Sequence, residues 1–136
     1  MIQKKDAIIG RWFNYYQDSC IGYVLGVQVN SFSNSSKIAI SIEGGGYTVT
    51  DLEDLTPIKI TEEIMLKCDA YWDDVLDEKD ALVIDVTENI RIGWCGYLFL
   101  LIEGYTIQIN NANSEYVHQL QNIYADLSGK ELKLNL

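Results

Sequence analysis

The chain carries one proline, one histidine and no closely spaced pair of cysteines. With only ten glycines beside that proline in 136 residues, it lacks the breakers of a collagen-like or low-complexity chain. Cys20, Cys68 and Cys95 are an odd number at wide spacing, and His118 stands alone. A structural zinc site wants four soft ligands in close pairs, so neither a metal nor a cofactor is expected. The longest apolar run, Tyr97 to Ile102, is six residues and far short of a membrane span. Met1 to Asp6 lead into no long apolar region, so no signal peptide is expected. The expectation is a cytoplasmic protein with reduced thiols, all three buried as small hydrophobes.

Basic residues are also scarce. Ten Lys and Arg face twenty Asp and Glu, for a net charge of −10 and a pI near 4.3. Nucleic-acid backbones and anionic membranes are gripped by Lys and Arg, so neither is an expected partner. The charge is localised. Residues 1–50 carry a net +1 and residues 91–136 a net −1, while residues 51–90 hold thirteen acids against Lys59, Lys67 and Lys79. Such a run is either a solvated face or an acidic surface for a basic partner. On the second reading the candidate residues are Asp51, Glu53, Asp54, Asp73, Asp74 and Asp77.

What is abundant is apolar and aromatic. Hydrophobic residues make 48%, with three Trp, nine Tyr and three Phe. A chain of this size buries about two-thirds of its unfolded surface, enough for one domain over residues 1–136. Its first part, residues 1–56, reads as β structure. Ile8 to Tyr16, Ile21 to Val29, Lys37 to Glu43 (with Ile38, Ile40 and Ile42 at period two) and Tyr47 to Thr50 are four short strands. Gly44-Gly45-Gly46 supplies a hairpin turn, and Gly10, Gly22 and Gly26 inside strands mark bends or bulges. A bent antiparallel sheet or an SH3-like barrel is expected.

Residues 57–136 read as α+β. Thr61 caps a helix of about ten residues, with Glu62 and Glu63 in its first turn and Ile64, Cys68 and Tyr71 on one stripe. Asp73 to Asp80 reads as an acidic loop. Ala81 to Val86, Ile90 to Trp94, Gly96 to Ile102 and Tyr105 to Ile109 are strands, the third apolar on both faces and so central. A final helix, capped by Asn113 or Ser114 and ended at Gly129, gathers Val117, Leu120, Ile123, Tyr124 and Leu127 within about 60° of one direction. Lys130 to Leu136 is read as an added edge strand. Whether the two β regions merge stays open.

Candidate chemistries are few. On the helical wheel His118 lies almost opposite the apolar stripe, which predicts a solvent-facing, non-catalytic histidine. Asp73, Asp74, Asp77 and Asp80 lack the glycine and the spacing of a calcium loop. Gly44-Gly45-Gly46 enters a strand rather than a helix and is no phosphate loop. Carboxylates are plentiful, but no pair is singled out for glycosidase chemistry. Trp12, Phe13, Tyr15, Tyr16 and Tyr23 crowd the first two strands beyond what a small barrel core needs. Trp12, Tyr15 and Tyr23 are therefore candidates for an exposed aromatic surface.

Two blocks carry a resemblance. Thr56 to Cys68 (TPIKITEEIMLKC) resembles a PIPLTEEILLK-like block, and Tyr116 to Leu132 (YVHQLQNIYADLSGKEL) resembles a YVHQLQNLYFALTGKEL-like tail. Together, over about thirty residues, they resemble small uncharacterised proteins of phages and mobile elements of gut anaerobes. Asp126 and Ser128 depart from that pattern's small apolar and threonine positions. The resemblance brings no catalytic residues; it implies an accessory gene, of use in conflict between phage and host.

The expected function is therefore non-enzymatic binding of a protein partner through the acidic or the aromatic surface. An oligomeric protein that sequesters a small molecule or nucleotide is the alternative, and a carboxylate-dependent hydrolase the remote one.

Overall fold

The computed structural model describes residues 11–15, 20–29, 36–42, 47–51, 55–76, 79–109 and 115–134. The class is α+β, in two compact units, Met1–Ile58 and Lys59–Leu136.

The first unit is an antiparallel sheet of β1 (Trp12–Tyr15), β2 (Cys20–Val29), β3 (Ser36–Ile42), β4 (Tyr47–Asp51) and β5 (Leu55–Thr56). Their order is β4-β3-β2-β1-β5, with β5 returning to pair antiparallel with β1. The two edges, β4 and β5, are not joined, so the sheet is open and the SH3-like barrel is not formed. Pairing of β2 with β3 shifts between Val24 and Gly26, a bulge at the glycine where a bend was expected. Alternation places Phe13 fully inside and leaves Trp12 half-buried. The expected turns at residues 17–19 and 44–46 lie outside the described residues.

The second unit opens with α1 (Glu62–Lys67). Thr61 caps it as expected, its Oγ1 accepting from the Ile64 N–H at 3.3 Å, with Glu62 and Glu63 beside the positive end of the dipole. The helix is six residues rather than about ten. Asp69 takes a left-handed φ of 61°, and the Ala70 N–H returns to the Met65 carbonyl at 3.2 Å, a Schellman-type stop. Tyr71, placed by the sequence on the helical stripe, therefore starts a strand.

A second, separate five-stranded antiparallel sheet follows: β6 (Tyr71–Leu76), β7 (Lys79–Asp85), β8 (Ile90–Trp94), β9 (Leu98–Ile102) and β10 (Tyr105–Gln108), in the order β10-β9-β8-β7-β6. The expected acidic loop is thus a hairpin. Once α1 has stopped, Tyr71, Trp72 and Val75 are good strand formers, and Tyr71, Trp72 and Asp73 pair in register with Val83, Leu82 and Ala81 of β7. β7 is buried on both faces, Ala81 and Val83 on one and Leu82 and Ile84 on the other. β9 is interior, as its two apolar faces required, although β8 holds the centre. The ring of Phe99 lies directly on Gly93, opposite it in the register. A Cβ at Gly93 would sit 2.2 Å from the Phe99 Cζ, so only glycine fits. All four residues of β10 are exposed, because it is an edge.

The last helix, α2 (Val117–Ser128), begins at Tyr116 rather than at Asn113 or Ser114, which lie outside the described residues. Gln119 Oε1 accepts from the N–H groups of Glu115 and Tyr116, each at 3.0 Å. That is the return half of a capping box, in which the N3 side chain holds the N–H of the N-cap residue. Gly129 ends it at a φ of 72°, and the Ser128 hydroxyl donates to the Tyr124 carbonyl at 2.7 Å.

His118 is the main correction. It is only 4% exposed, stacked nearly parallel to the Tyr116 ring at 6.0 Å. The buried residues of α2 are Val117, His118, Leu120 and Gln121, whose common direction is rotated by about 80° from the apolar stripe. Ile123, Tyr124 and Leu127, farther along that stripe, stay half-buried. The start of the helix is tied down instead by the Lys59–Tyr116 bridge and by the Ile60 N–H on the Glu115 carbonyl at 3.0 Å. Residues 131–134 form no strand, against expectation, although Leu132 is buried.

Candidate functional site

Period-two alternation and the register of β6, β7 and β8 place Tyr71, Asp73, Asp85 and Arg91 on one face of the second sheet. They form a connected polar row. The Tyr71 hydroxyl donates to Asp85 Oδ1 at 2.6 Å, and Arg91 Nη1 meets Asp73 Oδ2 at 2.8 Å. Asp73 Oδ1 also accepts from the Asp74 N–H at 2.8 Å. The Tyr71 phenol is held above its ordinary range, first by its bond to the Asp85 carboxylate and then by burial, with Arg91 opposing. The Arg91 guanidinium is held in its charged form by Tyr71 and then by Asp73. Asp73 is therefore engaged inside the protein. Among the described residues of this hairpin, Asp74 and Asp80 are exposed to solvent, while Asp85 is exposed but holds the Tyr71 hydroxyl.

Beside them stand two aromatics. Trp72 is 52% exposed and Tyr71 39%, both on β6, the outer strand of the sheet. Pairing of β6 with β7 becomes irregular between Asp73 and Leu76. A kinked, acidic edge discourages addition of a further strand, so contacts here are made by side chains.

An open cleft of about 370 Å³ adjoins the row. It is lined by Cys68, Tyr71, Ile84, Asp85, Tyr124 and the segment Lys130 to Lys133. Its thiol is no nucleophile: burial, with Asp69 adding to it, pushes Cys68 up to about 12. His118 is not among the lining residues. The lining mixes carboxylates, lysines and tyrosines, suited to holding polar groups rather than to activating one. Among the described residues, no three His, Cys, Asp or Glu side chains are gathered to hold a metal.

The sequence-derived candidates are dispersed. Asp73 and Asp74 lie on β6, and Trp12 is half-buried on β1. Tyr15, Tyr23 and Asp51 are placed on β1, β2 and β4 by backbone alone; Glu53, Asp54 and Asp77 lie outside the described residues. Exposed aromatics that the sequence reading missed include Tyr71, assigned there to the helical stripe, its neighbour Trp72, Tyr97 in the β8–β9 turn, and Tyr105, 75% exposed on β10. The usable signal was the Tyr-Trp-Asp-Asp-Val-Leu run, whose β-formers follow the stop at Asp69. Cys95 is half-buried rather than buried, because it sits in the β8–β9 turn. There the Tyr97 hydroxyl bonds to it, which raises the Tyr97 phenol.

No protein-family model matches the chain, and neither a curated protein nor a solved structure matches it significantly.

Proposed function

We propose that this chain is a non-enzymatic binding protein that takes a basic protein partner on the outer edge of its second sheet. The observation that carries the reading is Trp72, half exposed on an edge strand whose solvent-facing carboxylate neighbours, among the described residues, are Asp74 and Asp80. An exposed aromatic anchor flanked by charge of one sign is the anatomy of an interaction hot spot. An arginine of the partner can stack on the indole while the carboxylates hold its neighbours. The excess of acids over residues 51–90 steers such a partner from a distance, over a Debye length of about 8–10 Å. The resemblance of the Thr56–Cys68 and Tyr116–Leu132 blocks supports an accessory role in a phage or mobile element, with a host or phage protein as the partner.

The test is capture of proteins from bacterial extract on the immobilised chain, at low and at raised salt. A discrete basic protein should be retained at low salt and released as salt rises. Trp72→Ala should lower its retention at least about tenfold, as loss of a hot-spot aromatic does. Retention indifferent to both salt and Trp72→Ala defeats the reading.

The cleft favours a second reading, capture of a small polar ligand, since its volume is within the usual range for ligand sites of roughly 300–1,000 Å³. Native mass spectrometry of the protein purified from cells, before and after denaturation, separates the two: a releasable small mass supports sequestration, and a bare chain leaves the protein partner.

A further inference from the structure

β10 is the opposite edge of the same sheet, and beyond its four-residue length it shows, among the described residues, none of the usual protection. Its sequence, Tyr105-Thr106-Ile107-Gln108, holds no charge and no proline, and its register with β9 runs through four successive pairs without a bulge. Natural edges are blunted by a lysine, a proline, a bulge or a covering segment. All four residues are exposed here, with Tyr105 at 75% and Ile107 at 47%. These two side chains share a sheet face with Leu100 and Ile102, both half-buried, and extend that apolar surface to the rim.

The backbone has a defined polarity. Glu103 and Gly104, at φ values of 50° and 87°, make a two-residue hairpin turn closed by Ile102 and Tyr105. In such a hairpin the closing pair exchanges both hydrogen bonds, so Tyr105 and Ile107 turn their backbone groups toward β9. Thr106 and Gln108 turn theirs outward.

We propose that β10 pairs antiparallel with β10 of a second copy of this chain, about a two-fold axis at Thr106. In that register Thr106 lies opposite Thr106 of the other copy as a hydrogen-bonded pair, using the outward groups of both. Tyr105 of each copy falls opposite Ile107 of the other, on the same face. Thr–Thr and aromatic–β-branched pairs are among the favourable cross-strand combinations. For two copies of this sheet, charge favours joining through β10 over joining through β6. Order β10-β9-β8-β7-β6 puts the acidic hairpin at the far side of the sheet. Joined through β10, the two acidic edges stand roughly 40 Å apart, several Debye lengths. Joined through β6, they would be in contact.

Four paired residues a side make a small interface, below the roughly 1,000 Å² of a firm complex, so the dimer is weak and concentration-dependent. Added salt tightens it, because salt screens the residual repulsion between two chains of net charge −10. That sign is opposite to the one expected for a basic partner at β6, so the two readings fail separately.

Sedimentation velocity from low micromolar to millimolar protein tests it. The wild-type mass should rise from 15.5 kDa toward twice that value, and at lower concentration when salt is added. Thr106→Pro removes an outward N–H without touching the β9 ladder and should weaken the dimer at least about tenfold. Ile107→Lys should do the same, although it makes the chain less negative, which alone would favour association. Circular dichroism confirms that each variant is folded; if Thr106→Pro is not, Ile107→Lys decides. A wild-type chain monomeric throughout, or a dimer that survives the folded variants, overturns the proposal.

Discussion

The two edges of the second sheet belong to one framework and meet solvent in opposite ways. β6 is irregular, carries Asp73 and Asp74, and has its backbone pairing disturbed before Leu76. β10 is regular, uncharged and flat in register. The first therefore presents side chains and repels another strand, while the second presents backbone and accepts one. What differs is neither the fold nor the strand count but where the acids fall in the chain. Because residues 51–90 hold nearly all the excess negative charge and the sheet is a simple meander, charge asymmetry along the sequence becomes charge asymmetry across the sheet.

The largest expected effect removes what the two edges share. Between them, Phe99 of β9 lies on Gly93 of β8, and Ala81 and Val83 of β7 complete that cluster. Gly93→Ala places a methyl group 2.2 Å from the ring of a fully buried phenylalanine. Overpacking of this kind costs about 3 kcal/mol. Urea denaturation should show the unfolding free energy falling by that amount, with Trp72 and Tyr105 losing their ordered settings together. A loss below about 1 kcal/mol would show that Phe99 is not locked and that the edges do not depend on one platform.

Next in size is a chemical contrast between the thiols. Cys68, which ends α1 just before β6, is 3% exposed and pushed up from 9.0 to about 12. Cys95, in the turn before β9, is half-buried. An alkylating reagent at neutral pH should modify Cys95 and leave Cys68 intact in the folded protein. The same asymmetry fixes a pH dependence. A thiol whose folded value lies above its unfolded value keeps its stabilising effect below pH 9 and loses it as pH rises from 9 toward 12. The slope from this one group approaches about 1.4 kcal/mol per pH unit. Cys68→Ala should flatten the alkaline fall in stability relative to wild type, and equal alkaline slopes in the two proteins would refute the assignment.

Much of this contrast was legible from sequence, and the misses share a cause. Ile90–Trp94 was placed to the residue, and the period-two and all-apolar runs of β3 and β9 were clear because strand alternation is a local property. The cap at Thr61 and the stop at Gly129 were equally local. The length of α1 was not. Its end depends on Asp69 adopting a left-handed conformation that aspartate takes only sometimes, and without that stop Tyr71 and Trp72 continue the helical spacing. His118 was misplaced because a wheel reports which side is apolar, whereas burial follows from what the neighbouring chain covers. The Lys59–Tyr116 bridge, fifty-seven residues apart in sequence, ties down the start of that helix. The candidate edge failed in the same way: acids counted along a chain do not reveal which of them, like Asp73, are turned onto an arginine.

The smallest effect sharpens the contrast at its uncharged end. Glu103 occupies the first position of the β9–β10 turn with a φ of 50°, a conformation that costs most residues about 1 kcal/mol and asparagine less. Glu103→Asn should therefore stabilise the protein by about 0.5 kcal/mol, read as a small rise in the urea midpoint. It also removes the carboxylate nearest β10 without altering the strand. In the paired dimer, Gly104 of one copy faces Gln108 of the other, so Glu103 stands close to the partner strand, and its loss should tighten self-association. The two readouts separate the causes. A stability gain with unchanged dimerisation assigns Glu103 to turn strain alone, whereas tighter dimerisation that disappears at high salt identifies its charge as the one acid that still opposes pairing at this edge.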